Sequence, residues 1–145
     1  MNLPFTDSFI STLGVIKDAS ARANKTLGLL EAKKQKAISK AAKEVWQNKH
    51  GSQFPVDVFQ TGSGTTTNMN ANEVIANLSS KASGLKIHPN DHVNQGQSSN
   101  DVIPSAIHLS ALLDIEESLC PALINLQKAL ERKADEFMSI IKTGR

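Results

Sequence analysis

The sequence predicts a mainly α-helical protein. Apolar residues recur at spacings of three and four along most of the chain, the period of a helix that buries one face. Aromatic residues make up only 4% of it, which suits helices packed through alanine and leucine. Alternation of the kind that marks a strand is confined to Val56, Val58 and Phe59. At 145 residues there is material for one domain with a real core, and too little for two full ones.

Phe9, Leu13, Ile16, Ala19 and Ala23 mark a first helix, with Thr6 or Asp7 as N-cap and Gly28 as its stop. A second is expected from about Glu31 to Asn48, where Ile38, Ala42, Val45 and Trp46 share a face and Gly51 closes it. Together they make an α-hairpin with a basic outer surface. From Ser52 to Thr61 the chain reads as irregular or extended, bent at Pro55. A third helix is expected from about Thr66 to Ala82, ended by Gly84. Its start has two candidates, a Thr67 cap or an Asn70-x-x-Glu73 capping box.

Past Asn100 a long stripe follows: Leu112, Ile115, Leu119, Leu123, Leu126, Leu130, Ala134, Phe137 and Ile141. Pro104 falls in the first turn, where it is tolerated, and Pro121 falls mid-pattern and predicts a kink. Such a helix is longer than a compact domain of this size is wide, so its stripe needs partner helices that this chain cannot fully supply. The expected division is therefore 1–97, a helical domain with anion-binding loops, and 98–145, a long helix.

Composition excludes several classes. The net charge is only +2, and the lysines between Lys33 and Lys43 are spaced by alanines with no aromatics among them, a solvated helix face rather than a nucleic-acid surface. The lone Cys120 cannot form an internal disulfide and reads as a small apolar packing residue. No leader and no membrane-length apolar run is evident, so a cytoplasmic protein without a membrane partner is expected. Gly62-Ser63-Gly64 lacks the third glycine of a dinucleotide fingerprint, and no lysine follows it as in a P-loop. His50, His88, His92 and His108 lack metal-ligand spacing, so neither metal nor cofactor is expected. His108 lies beside the apolar stripe and reads as a core or interface histidine.

The chemistry gathers in three polar stretches. Gln97-Ser98-Ser99-Asn100-Asp101 stands directly before a helix, whose orphan amides need acceptors and whose dipole favours an anion. Thr61-Gly62-Ser63-Gly64-Thr65-Thr66-Thr67 repeats that arrangement before the third helix. Between them lies His88-Pro89-Asn90-Asp91-His92, a rigid turn with titratable groups, within a polar segment of a length that is often functional. Two hydroxyl-rich helix starts suggest a small ligand with two anionic ends.

These stretches also carry a resemblance. Gln60 to Thr65 with Thr67-Asn68-Met69-Asn70-Ala71-Asn72-Glu73-Val74-Ile75-Ala76-Asn77 is similar to one block of the class II fumarases. His88 to Asn94 with Gln97 to Pro104 is similar to a second. The resemblance runs from Leu3-Pro4 to Gly144-Arg145 and implies the fumarase/aspartase superfamily. The expected fold is that family's N-terminal helical domain plus the first long helix of its central helical bundle. The family places substrate contacts at the positions of Ser63, Gly64, Thr65, Ser98, Ser99 and Asn100, and a secondary anion site at those of His88, Pro89, Asn90 and Asp91. Its catalytic histidine and mobile-loop serine would lie beyond Arg145, so no catalytic residue is expected within these 145 residues and the isolated chain is expected to be inactive.

The implied activity is reversible hydration of fumarate to L-malate in a homotetramer, without metal. Aspartate ammonia-lyase is the alternative in the same superfamily. Its members tend to carry Gly-Gly-Ala-Gly and Ser-Thr-Asn where this chain has Gly62-Ser63-Gly64 and Ser98-Ser99-Asn100. A non-catalytic helical association module is the alternative of another class.

Overall fold

In the computed structural model, which describes residues 3–60 and 63–144, Thr6 opens the first helix as its N-cap, Oγ1 accepting the Phe9 N–H at 3.3 Å. Met1, Asn2, Arg145 and two members of the glycine-rich stretch, Thr61 and Gly62, lie outside the described residues. Among the described residues five α-helices follow in order: α1 Asp7–Thr26, α2 Ala32–Trp46, α3 Thr65–Ser83, α4 Ser99–Asp114 and α5 Cys120–Phe137. A short 3₁₀ turn spans Gly51–Gln53, and single π-helical turns span Pro89–Val93 and Ile115–Leu119. Among the described residues, extended pairing is limited to an isolated bridge between Pro4 and Asp57. The mainly α class is therefore as expected.

Contacts divide the chain into two units, residues 1–110 and 111–145. The core of the first is built from Leu13 of α1, Ile38, Ala42 and Val45 of α2, Ala71 and Ile75 of α3, Val93, and Val102 and Ala106 of α4. The first turns of α4 belong to this unit because Val102 and Ala106 are buried in it. α1 and α2 meet at Gly14, where a Cβ would lie 2.6 Å from both the Ala42 carbonyl oxygen and the Trp46 nitrogen. Only a glycine lets two backbones approach so closely.

Several local expectations are revised. The inner face of α1 runs through Phe9, Ile10, Leu13, Lys17, Ala21 and Asn24, while Ala19 and Ala23 are exposed. Lys17 and Asn24 take core positions because the rest of the unit supplies them with hydrogen-bond partners. α2 turns at Asn48, which takes the left-handed conformation (φ 53°), so Gly51 opens the next turn instead of closing the helix. Trp46 is half exposed. α3 begins earlier than either proposed cap: Gly64, at φ 65°, is its N-cap, and Thr67 and Asn70 lie inside it. Gly84 ends α3 at φ 70°, as expected. Val58 and Phe59 do not alternate into a core, for Phe59 is 82% exposed.

In the second unit, α5 contains no buried residue, and Leu123, Ile124, Leu126, Leu130 and Phe137 all face outward. The disturbance expected at Pro121 is a π turn, Ile115–Leu119, ending directly before α5, whose second residue is Pro121. A proline has no N–H for the carbonyl four residues earlier, and a widened turn absorbs the mismatch. Cys120 is exposed, not packed, and His108 is exposed on α4. No described helix is long and apolar enough to cross a membrane.

Candidate anion-binding site

The two hydroxyl-rich stretches come together at the starts of α3 and α4. At Gly64 a Cβ would stand 2.9 Å from Cγ1 of Ile103, so the loop before α3 lies directly on the first turns of α4. One turn into α3, Asn68 Nδ2 donates to Ser99 Oγ at 3.0 Å. Two helix N-termini thus meet through these residues, each bringing the positive end of a dipole.

Each loop is held from behind. Asp57 accepts the N–H groups of Leu3 and Phe59, both at 2.8 Å, and these bonds hold its carboxyl below the usual carboxylate range. That anchors the chain leading to Gln60, whose Oε1 accepts the Thr67 N–H at 3.2 Å while its Nε2 donates to Thr67 Oγ1. The segment before α4 is tied to α1, where Asn24 Nδ2 donates to the Gln95 carbonyl at 2.9 Å. Gly96 makes the turn at φ 70°.

The predicted substrate contacts fall in this region. Ser63 and Thr65 share a hydroxyl–hydroxyl hydrogen bond of 2.8 Å and are exposed, with Gly64 buried between them. Ser98 Oγ accepts the Asn100 N–H at 3.2 Å, Ser98 and Asn100 are exposed, and Ser99 is half-buried. These groups form an open, donor-rich surface of neutral side chains, the chemistry suited to holding carboxylates without quenching their charge.

His88, Pro89, Asn90 and Asp91 form a separate cluster at the π turn. His88 Nδ1 accepts the Asp91 N–H at 3.3 Å and lies 3.2 Å from the Asp91 carboxylate. The His88 N–H donates to His92 Nδ1 at 2.8 Å, and the far nitrogen of His92 is 3.1 Å from Lys34 Nζ. Burial, then the Lys34 charge, pulls His92 below the usual histidine value. Among the described residues, no hydrogen bond joins these four residues to the hydroxyl clusters. No described group of three His, Cys, Asp or Glu is arranged to hold a metal ion.

Sequence reading missed the residue that links the stretches, Lys17. It is fully buried, and its Nζ donates to Asn68 Oδ1 at 2.8 Å, Gln97 Oε1 at 2.9 Å and Asn94 Oδ1 at 3.0 Å. Burial lowers its pKa from 10.5 to about 7. The signal was present in the sequence, since Lys17 follows Leu13 and precedes Ala21 at steps of four, squarely on the apolar face of α1.

Residues 2–145 match a family described as Lyase. The chain is 51% identical, over 148 aligned positions, to the class II fumarate hydratase of Halobacterium salinarum, covering 99% of this chain and 32% of that protein. It is 53% identical over 137 positions to that of Xylella fastidiosa Temecula1, covering 94% of this chain and 29% of the relative. Among solved structures, the class II fumarase of Schistosoma mansoni superposes with a TM-score of 0.95 at 41% identity, over 98% of this chain and 31% of that one. The fumarate lyase:delta crystallin structure from Brucella melitensis gives 0.94 at 40% identity, over 100% of this chain and 35% of that one. The chain spans about a third of the length of these relatives. It belongs to the lyase family in which the class II fumarate hydratases stand, and corresponds to their N-terminal helical region.

Proposed function

We propose that this chain supplies the dicarboxylate-gripping share of a class II fumarate hydratase, which interconverts fumarate and L-malate by adding or removing water. Ser63, Gly64, Thr65, Ser98, Ser99 and Asn100 would hold the substrate carboxylates. His88, Pro89, Asn90 and Asp91 would form a second anion site. The observation that carries this reading is the convergence of two hydroxyl-rich helix starts, with Gly64 against Ile103 and Asn68 bonded to Ser99.

A proton on carbon next to a carboxylate leaves only if that carboxylate takes up the developing negative charge. Aligned hydroxyls and helix amides stabilise that charge as it forms. By the family resemblance, the base and the group that activates water would come from other segments of a full-length protein, and residues 98–145 would form the first helix of a central bundle. The fully outward apolar face of α5 favours self-association, with a homotetramer as the proposed assembly. The cytoplasm is the proposed compartment.

The test is steady-state kinetics on a full-length enzyme containing this segment. Fumarate should be hydrated, and aspartate should not be deaminated. Ser98→Ala should lower turnover by roughly 10²–10³, as for loss of an oxyanion donor, while His88→Asn should stay within several-fold of the unmodified enzyme. Collapse of turnover in His88→Asn with Ser98→Ala unaffected would exchange the roles of the two sites.

A further inference from the structure

Lys17 has a hydrogen-bonding pattern that core filling does not require. An ammonium offers three donors and no acceptor, and here they meet three neutral amide oxygens, those of Asn68, Asn94 and Gln97. With its oxygen drawn to the lysine, each amide must turn its NH₂ group elsewhere. Asn68 Nδ2 then has two acceptors within reach, Ser99 Oγ at 3.0 Å and Asn94 Oδ1 at 3.2 Å. Gln97 Nε2 donates to the Val93 carbonyl at 2.8 Å, and Asn94 Nδ2 to the Gln97 carbonyl at 3.3 Å, which ties together the segment leading into Ser98.

The consequence falls on Ser99. A hydroxyl has one proton, and a Ser99 oxygen that accepts from Asn68 keeps that proton for whatever stands on its open side. Were Asn68 turned over, its oxygen would face Ser99, and the hydroxyl would direct its proton inward and present lone pairs to an incoming carboxylate. We propose that Lys17 is a positioning residue whose ammonium, by orienting the Asn68 amide, fixes Ser99 as a hydrogen-bond donor toward the ligand. The inference rests on the dicarboxylate reading above. It assigns Lys17 no contact with substrate. Burial lowers the pKa of the lysine from 10.5 to about 7, while the positioning role itself stands on the three amide contacts.

A lysine that only supports the fold, or only adds positive charge, would act whether or not Ser99 has a hydroxyl. The decisive experiment is therefore a double-mutant cycle in a full-length enzyme containing this segment. Lys17→Met should lower kcat/KM for fumarate at least 30-fold in the unmodified enzyme and less than threefold in a Ser99→Ala background. Equal losses in both backgrounds overturn the proposal, as does a Lys17→Met enzyme within threefold of the unmodified one. If Lys17→Met does not fold, Asn68→Asp takes its place in the cycle. A carboxylate there still satisfies Lys17 but has no N–H for Ser99, and the same two outcomes decide.

A readout without substrate separates failure of this inference from failure of the dicarboxylate reading. In nitrogen-15 spectra of the 145-residue chain, the Asn68 side-chain amide protons should exchange at least tenfold faster in Lys17→Met than in the unmodified chain. Unchanged exchange overturns the positioning role even if the enzyme hydrates fumarate. Faster exchange together with an inactive unmodified enzyme would count against the dicarboxylate reading alone.

Discussion

At Gly64 two constraints meet on one residue: a left-handed backbone (φ 65°) and the Ile103 side chain where a Cβ would go. Gly84 shares the first constraint (φ 70°), but nothing lies within 4 Å of the place its Cβ would take. Gly84→Ala should therefore cost only the conformational strain, about 1–2 kcal/mol. Gly64→Ala should cost that plus displacement of Ile103, in all about 2–4 kcal/mol. Urea unfolding of both variants checks this, and equal losses would mean that Ile103 yields freely. Lys17 makes a prediction of opposite character. Its pKa is 10.5 when free and about 7 when folded, so between these values the unfolded chain holds a proton that the folded chain has released. Stability should then rise with pH from about 7 toward 10, by roughly 1 kcal/mol per unit from this group alone. Below about pH 7 both states are protonated, and the full cost of burying the charge remains. Urea midpoints at neutral and alkaline pH should show this rise in the unmodified chain and not in Lys17→Met. Parallel curves would contradict it.

At the scale of elements, the contact between α1 and α2 turns on Gly14. By helix propensity alone Gly14→Ala should stabilise α1 by about 1 kcal/mol. The new methyl, however, would meet two backbone atoms of α2 at 2.6 Å, and backbone cannot turn aside as a side-chain tip can. Separation of the hairpin should outweigh the propensity gain, for a net loss of about 1–3 kcal/mol. Thermal melting followed by circular dichroism measures it, and a higher melting temperature would show that the helices slide apart without penalty. The same pairing of helices presents Lys17 and Asn24 to the segment before α4, so loosening it should also disturb the Asn24–Gln95 bond.

At the scale of the molecule, the two units differ in kind. Residues 1–110 have a core of their own, whereas residues 111–145 present large apolar side chains to solvent with none of α5 buried. Exposed apolar area on that scale marks an association surface. The chain should form dimers or larger bundles, and light scattering across a concentration series should show mass rising with concentration. Leu123→Glu with Leu130→Glu should shift it toward monomer without loss of the first unit's helicity. A monomer at tens of micromolar, a concentration at which interfaces of ordinary affinity are occupied, would count against a surface built for partner helices.

The helices were legible because their period, caps and stops are local properties of the chain. Thr6, Gly28 and Gly84 act through the backbone of their immediate neighbours, and their roles follow from residue type. The candidate site was legible as a pattern of hydroxyls before helices, sharpened by the resemblance of its motifs to a known family. The spacing of Phe9, Leu13 and Ala21 placed Lys17 on the inner face of α1, but why polar side chains are kept on that face was not legible. A lysine and an asparagine belong there only once partners distant in sequence supply amide and carbonyl oxygens, and those partners arrive with the fold. Nor could spacing show that the chain around Gly64 meets the first turns of α4 while His88 belongs to another cluster. That depends on Gly64 resting on Ile103 and on the amide of Asn68, contacts between residues more than thirty positions apart. Local sequence thus determined which segments are helical and, to within a turn, where they begin. Only tertiary packing decided which of those starts converge, and that a buried lysine would stand behind them.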